Sequence, residues 1–402
     1  MKLFNHVSKT FFVMAFAMLC SFVATLKLGE FLPTEDFGFF NLIKRIFPMG
    51  AAIILLGLDK SYIKYFSDNV QLKIFKFIAP MILVNSCAIT FLLGFLYTFN
   101  GYELSIFLCL LVFSFTLFLS SYARLRDEYG VAQLIQAGHK IIFFFLVFYI
   151  LSFFDINSFG VINIYLVSFL IPSIYIIKYI LDESRLDSSV SFIQFKELLS
   201  YGFLFFSVNI LNLMIINMEG LFIPYYYGQE ANGVYSGLSF IYITVFVMIG
   251  TSIGYVLFPM LSKKEKINIK KLTVYTCTGI LFIFLLFIIF GSTINSIAFK
   301  GKFDIYRTPE LDMMIILIGV LQFINGLLHW FILGLGTKED IINYLKVIVT
   351  VLSIYLAVII CVANLNVEGF SSIIPIVVLA WVGKVLATII FIRKNKIIEG
   401  YH

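Results

Sequence analysis

The residues that could do chemistry in this chain are few, and their surroundings narrow what that chemistry can be. Lys44 and Arg45 stand side by side in "NLIKRIFPMGAAIILLGLDK", residues 41–60, an otherwise apolar run with Pro48 close behind the pair. A lysine or arginine at the centre of a helix in hydrocarbon costs roughly 2.5–3.5 kcal/mol, so two cost about 5–7 kcal/mol unless something receives them. Adjacent residues point ~100° apart on a helix, so one of the two can face a cavity squarely while the other lies at its edge. Arg45 shares a face with Asn41 and is the better cavity candidate. Lys44 lies about 10 Å below the outer end of its run and can recover depth by snorkelling. Pro48 has no N–H, which strips the Lys44 carbonyl of its helical partner, and Gly50 loosens the same turn. Such a level in a membrane requires water or polar protein beside it. The other reading is an ion pair that staples helices through Glu30, Glu35 or Glu219.

Three further polar sets lie in or beside apolar runs. Asn209, Asn212 and Glu219 share one helical face, where amides can serve a ligand or join helices; Glu219 is the best-placed membrane carboxylate for ion coupling. Gln133, Gln136 and Lys140 fall at i, i+3 and i+7, just after Arg124 and Arg126, as a positive vestibule or as ordinary inner-loop cations. Lys384, nine residues before Arg393, either snorkels inward or lines the second half of the chain. The five cysteines (20, 87, 109, 277, 361) and four histidines (6, 139, 329, 402) have neither metal-ligand nor disulfide spacing. No GxSxG, phosphate-loop or HExxH motif is present, so no hydrolase, ATPase or cofactor is expected.

The elements that must position these groups follow from composition. Of 402 residues, 61% are hydrophobic, 18% aromatic and 13% charged, with a mean hydropathy of +1.00. A soluble domain needs a charged surface that this composition cannot supply, whereas apolar runs of about 20 residues suit a bilayer. The expected fold is all-α and polytopic, with twelve spans near 7–28, 37–58, 74–96, 104–122, 134–153, 161–181, 198–223, 233–258, 272–294, 311–335, 341–363 and 371–392. The longest connections, 182–197 and 295–310, leave no extramembrane domain to carry catalysis. The N-terminal run reads as the first span, because Leu19 precedes Cys20 where a lipoprotein wants a small residue and no clean A-x-A site follows.

Of the 29 basic residues, four fall in the outer loops (Lys27, Lys300, Lys302, Arg307), three lie within spans, and the rest are inner when the N-terminus is cytoplasmic. The positive-inside rule therefore places both termini in the cytoplasm. This bias accounts for the net charge of +6, so no nucleic-acid partner is expected, and the inner cations face anionic lipid.

A shift of 195 residues lays "TEDFGFFN" (34–41) on "QEANGVYS" (229–236), matching Glu35 to Glu230, Gly38 to Gly233 and Phe40 to Tyr235, with Ser67 over Ser262 further on. The copies open the second and eighth spans. An even number of intervening spans preserves orientation, which predicts two parallel six-helix halves, 1–190 and 191–402, with a substrate between them.

The run "GEFLPTEDFGFFNLIKRIFPMGAAIILLGLDKSYIKYFSD" resembles the second-span region of the polysaccharide-transporter flippases, which include the O-antigen flippases. "AFKGKFDIYRTPELDMMIILIGVLQFINGLLHWFILGLGTKED" is similar to the ninth-to-tenth connection and tenth span of the same superfamily, the multidrug/oligosaccharidyl-lipid/polysaccharide exporters. The resemblance implies a V-shaped, MATE-like pair of bundles in a bacterial inner membrane that moves an undecaprenyl-diphosphate-linked oligosaccharide to the outer leaflet by alternating access, without covalent chemistry. With such a cargo the polar residues read above become candidate contacts: Arg45, Lys44 and Lys140 for the diphosphate, and Asn41, Asn209 and Asn212 for the sugars. A polysaccharide polymerase and chain-length machinery would be its partners, with the bilayer and the lipid-linked oligosaccharide.

"NLIKRIFPMGA" is also similar to the basic second-span motif of lipid II flippases. That branch has two more spans, and Ser239 and Phe240 occupy the repeat-equivalent positions here. A multidrug and toxic-compound extrusion antiporter has a similar layout but wants lumenal carboxylates, which the first span lacks. A membrane polymerase would be expected to carry a large loop or catalytic domain.

Overall fold

The structure is a computed structural model describing residues 2–65, 74–96, 101–126, 128–154, 156–184, 190–262, 269–364 and 369–397. Helix dominates the described residues, and no strand occurs among them. In chain order the helices are α1 (Lys2–Phe31), α2 (Thr34–Leu55), α3 (Leu58–Tyr65), α4 (Phe75–Leu96), α5 (Glu103–Leu125), α6 (Tyr129–Leu151), α7 (Ser158–Val167), α8 (Leu170–Ser184), α9 (Phe192–Ser262), α10 (Ile269–Phe299), α11 (Pro309–Leu335), α12 (Lys338–Asn364) and α13 (Ile374–Lys394). Among the described residues, eleven stretches are long and apolar enough to cross a membrane. One of them, Phe192–Thr251, has 60 residues, enough for two crossings. The twelve expected spans are therefore accounted for, with α7 and α8 together forming the sixth. The outer surface supports a membrane setting: Phe12, Phe91, Phe95, Ile193 and Leu379 are all largely exposed, an arrangement that suits lipid and not water.

Local chemistry explains where several helices begin and break. The Leu311 N–H donates to the Thr308 hydroxyl (3.2 Å), Pro309 takes the first turn, and Glu310 and Asp312 face the positive end of the α11 dipole. At the start of α12 the Asp340 N–H donates to the Thr337 hydroxyl (3.2 Å) and the Thr337 N–H donates to the Asp340 carboxylate (2.8 Å), a reciprocal cap. The seventh and eighth spans join through a single residue, Gly228, at φ 84° and ψ 172°. That conformation is essentially closed to residues with a Cβ. The second span ends earlier than residue 58, because Leu56 and Gly57 take positive φ and α3 starts as a separate helix. A methyl on Gly57 would meet the Gly202 carbonyl oxygen at 2.1 Å, so a glycine is required there.

Contacts divide the chain into two compact units, Met1–Leu32 with Phe40–Met214, and Pro33–Phe39 with Ile215–His402. This partition by packing assigns the first part of α9 to the first unit, whereas the halves 1–190 and 191–402 divide the chain by span number. In the first unit α6 packs on α1 and α5. Its aromatic core stacks Tyr62 on Tyr122 (5.8 Å between ring centres) and sets Phe75 edge-on to Phe118 (5.8 Å). In the second unit α11 packs on α13, and Phe37 meets Phe299 and Phe303 at 6.1 and 6.2 Å.

The paired glycines of the sequence repeat meet in the second unit. A methyl on Gly38 would stand 2.2 Å from the Gln229 carbonyl oxygen, and one on Gly233 would stand 2.0 Å from the Thr34 carbonyl oxygen. Gln229 is the repeat partner of Thr34, so the two contacts are reciprocal. The Asn232 amide donates to the Gly38 carbonyl at 2.7 Å and ties the crossing. The position of Ser67 lies outside the described residues.

Candidate functional site

The cations of the first unit are positioned by three helices. Lys44, on α2, donates from its ammonium to the Thr25 hydroxyl of α1 at 2.8 Å, and Thr25 in turn donates to the Ser21 carbonyl at 2.8 Å. Thr25 is fully buried while Lys44 is half-buried. The ammonium also stands 5.9 Å from the centre of the Phe40 ring. A crevice beside Lys44 is lined by Phe40, Ile43, Phe47, Ile162 and Tyr165. Lys140, on α6, and Arg45, next in sequence, both lie within electrostatic reach of the Lys44 ammonium and repel it. The three sequence-predicted cations thus lie in the first unit, with Lys140 and Arg45 acting electrostatically on Lys44.

Aromatic and polar side chains frame this cluster. Phe47 stacks on Tyr165 (5.6 Å between centres), and the Tyr165 hydroxyl is 3.3 Å from His139 Nε2. His139 stacks on Phe169 at 4.5 Å. Asn41, one turn before Arg45, is buried, as is Asn212, while Asn209 is half-buried. All three amides belong to the first unit. Glu219 belongs to the second unit, where it is buried and lies within electrostatic reach of Tyr355 on α12. The predicted Asn209–Asn212–Glu219 stripe therefore crosses the division between the units.

Toward the α2–α3 end of the same unit lies a second basic level. Arg124 donates from Nε to the Ser120 carbonyl (3.3 Å) and from Nη2 to the Ser121 hydroxyl (3.2 Å). Ser120 donates to the Gln136 amide oxygen at 3.2 Å, and Gln133 is buried one turn away. Burial lowers the pKa of Lys60, on α3; Asp59 opposes that and the Arg124 charge adds to it. Gln133, Gln136 and Arg124, read from sequence as a vestibule, are thus neighbours on α5 and α6. Arg126 lies instead over the Tyr122 ring at 5.4 Å.

Two groups of residues were missed in the sequence. Thr25, His139 and Tyr165 complete the surroundings of Lys44, and their only sequence signal is polarity within apolar runs. In the second unit, Arg307 joins the α10–α11 connection to α9. It donates to Asp312 (2.5 Å), Asp304 (3.3 Å), the Ser292 carbonyl (2.7 Å) and the Tyr242 hydroxyl (3.2 Å). Burial opposes the guanidinium charge, but the hydrogen bond and charge of Asp312 outweigh it and raise the Arg307 pKa. Arg307, Asp304, Asp312 and Ser292 line a cavity of about 700 Å³ with Ser296, Thr308 and Met313.

No family model and no curated protein matches the sequence. Solved structures do match in fold. The outward-facing conformation of a multidrug resistance MATE family transporter of the MOP superfamily superposes with a TM-score of 0.61 at 13% identity, covering 97% of this chain and 95% of that one. The Vibrio cholerae MATE transporter VcmN in the bent form gives 0.60 at 14% identity, covering 98% and 99%. A point mutant of that same transporter gives 0.63 at 13%, covering 98% of both chains. The chain is an all-α, multi-pass membrane protein with the MATE transporter fold.

Proposed function

We propose that this protein is a flippase that carries a lipid-diphosphate-linked oligosaccharide across a bacterial inner membrane by alternating access, both termini being cytoplasmic. The observation that carries the reading is Lys44, held on buried Thr25 among apolar helices, within electrostatic reach of both Arg45 and Lys140 in the first unit. Like charges gathered among apolar helices repel one another and lose hydration, and an anionic headgroup arriving there relieves both costs. A diphosphate has the charge to do so. The buried amides of Asn41 and Asn212, with the half-buried Asn209, suit sugar hydroxyls, and the aromatic rings beside Lys44 suit their apolar faces. Arg124 and Lys60 form an earlier positive level on the way in. The substrate would sit between two six-helix halves, 1–190 and 191–402, and the lipid tail would stay in the bilayer. A polysaccharide polymerase and its chain-length machinery would take the product, and Glu219 would serve ion coupling.

The MATE fold neighbours and the buried Glu219 support a second reading, a cation antiporter of the multidrug extrusion type. Export assays separate the two. Deleting the gene should remove a surface glycan and build up its lipid-linked precursor in the inner leaflet. Arg45→Ala should reproduce that loss with the protein still present in the membrane. Arg45→Lys should keep part of the activity, because lysine supplies the charge without the two-pronged donor that suits phosphate. Normal glycan in both Arg45→Ala and Lys44→Ala would overturn headgroup binding; loss of drug resistance with intact glycan would favour the antiporter.

A further inference from the structure

The cavity beside Arg307 has two chemically different ends, and the cargo reading uses neither. Arg307 makes five hydrogen bonds. Nε and Nη2 donate to Asp312 (3.4 and 2.5 Å), Nη1 to the Ser292 carbonyl (2.7 Å) and Asp304 (3.3 Å), and Nη2 to the Tyr242 hydroxyl (3.2 Å). Five N–H groups are all that a guanidinium has, so Arg307 keeps no donor for an anion. Two carboxylates against this one cation leave the lining acidic. Asp304 carries the surplus: its side chain is 42% exposed, it meets Arg307 at the longer distance of 3.3 Å, and Ser296 donates to its second oxygen at 2.6 Å. Ser292 and Thr293, on the same wall of α10, add exposed hydroxyls. This end is equipped to accept hydrogen bonds from a cation.

The other end is apolar and continues along the helices. Phe287, Ile288 and Ile316 line the first cavity toward mid-span, and Ile280, Ile283 and Phe323 line a second, of about 240 Å³. On α10, residues 280, 283 and 287 fall at i, i+3 and i+7; on α11, 316 and 323 are seven apart, so each set shares a helix face. The Phe287 ring of the first cavity stands 5.8 Å from the Phe246 ring, which lines the second. From Ser296 to Ile283 this face runs about 20 Å, the depth of one leaflet with its headgroup region. The α10 span is also the least covered by protein, with 11% of its most apolar stretch buried against 22–61% in the others. Ile288, Ile297 and Met313, which line the first cavity, are exposed, so the cavity opens sideways toward lipid.

We propose that these two cavities hold one phospholipid of the bilayer whose headgroup ends in a primary ammonium. The ammonium donates to Asp304 and to the Ser292 and Thr293 hydroxyls, the phosphate stays hydrated at the mouth, and an acyl chain lies along α10 from Phe287 to Ile280. A primary ammonium brings three N–H donors to these acceptors. A quaternary ammonium brings none and favours an aromatic cage, whereas Phe287 is the one aromatic ring lining the first cavity. An anionic headgroup meets surplus carboxylate and an arginine already saturated. The bound lipid fills the gap beside α10 and stabilises the folded second unit, whatever cargo the protein carries.

The test uses the purified full chain in detergent, stripped of lipid, with dioleoyl phosphatidylethanolamine, phosphatidylcholine or phosphatidylglycerol added back. Melting is followed against lipid concentration, and retained lipid is counted by native mass spectrometry. Phosphatidylethanolamine should raise the melting temperature saturably by roughly a few degrees, as binding to the folded state requires, and one molecule should stay bound. The other two lipids should bind about tenfold more weakly, the strength of one charge-assisted hydrogen bond. Asp304→Asn should reduce phosphatidylethanolamine to the level of phosphatidylcholine, and Ser292→Trp, which fills the cavity, should remove the retained molecule. Should Ser292→Trp fail to accumulate, Asp304→Asn, a near-isosteric change at an exposed side chain, decides by itself. Equal stabilisation by all three lipids, or a preference for phosphatidylethanolamine that survives Asp304→Asn, would overturn the proposal. Dodecylammonium reproducing the full gain would also overturn it, by assigning the cavity to a free amphiphilic cation.

Discussion

The reciprocal glycine contact offers a quantitative test of how the repeat is built. A methyl added at Gly38 would lie 2.2 Å from the Gln229 carbonyl oxygen and 2.7 Å from the Gly233 nitrogen. Both are backbone atoms, so no side chain can rotate away, and the crossing helices must part by about 1 Å to reach van der Waals separation. Overpacking of this kind costs roughly 1–3 kcal/mol, and parting also stretches the 2.7 Å bond from Asn232 to the Gly38 carbonyl. Gly38→Ala and Gly233→Ala should therefore each lower the melting temperature and the amount of protein in the membrane. The double substitution should cost less than the two singles added, because one separation of the helices admits both methyls; a coupling of about 1 kcal/mol is expected for residues in contact. Gly279 and Gly383 serve as controls, since a Cβ on either meets nothing within 4 Å. Alanine there should be neutral or gain up to about 1 kcal/mol from helix propensity. Thermal melts in detergent, paired with membrane abundance, supply the assay. Singles that melt like the controls, or a double that is strictly additive, would refute the claim that these glycines form one shared contact.

Two other expectations follow from local geometry. Gly228→Val should destabilise by about 1–3 kcal/mol, because its φ of 84° and ψ of 172° lie where only glycine is unstrained; a melt unchanged from the parent would count against the break between the seventh and eighth spans. Asp312→Asn should cost about 3 kcal/mol, since it leaves the Arg307 guanidinium, 8% exposed, without its 2.5 Å partner, with Asp304 recovering part of the loss; equal melting of Asp312→Asn and Asp304→Asn would contradict the assignment of the main pairing.

Most of the architecture was legible because a bilayer imposes length and polarity together. Twelve apolar runs sufficed to count the crossings, and the Gly38–Gly233 match named the residues that meet. The sequence also marked the polar level at Lys44 through the cost of charge in hydrocarbon. What it could not supply was register between helices. Thr25 is nineteen residues before Lys44 on another helix, and nothing in its local pattern separates an acceptor for a lysine from an ordinary small residue. His139 and Tyr165 acquire meaning only when α6 and α7 are set side by side. The break at Gly228 was read as a loop of several residues, because a one-residue break depends on a dihedral angle that glycine permits and does not announce.

The repeat also bears on why Lys44 and Arg45 are present. The second copy of the span supplies an internal control, since a shift of 195 residues places Ser239 and Phe240 at the positions of the two cations. That copy is helical through both positions, with Ser239 buried. A helix of this register therefore forms without charge at those sites, and the Gly38–Gly233 crossing is set by sterics that both copies share. The second unit places its deep lysine elsewhere, on α13, at a position the repeat does not relate to Lys44. Folding thus accounts for the glycines and not for the cations. The proposed function supplies a reason for a pair costing several kcal/mol, namely a ligand that the protein would receive there. Under the function we propose, Lys140 on a second helix, within electrostatic reach of Lys44, would make that ligand an anion.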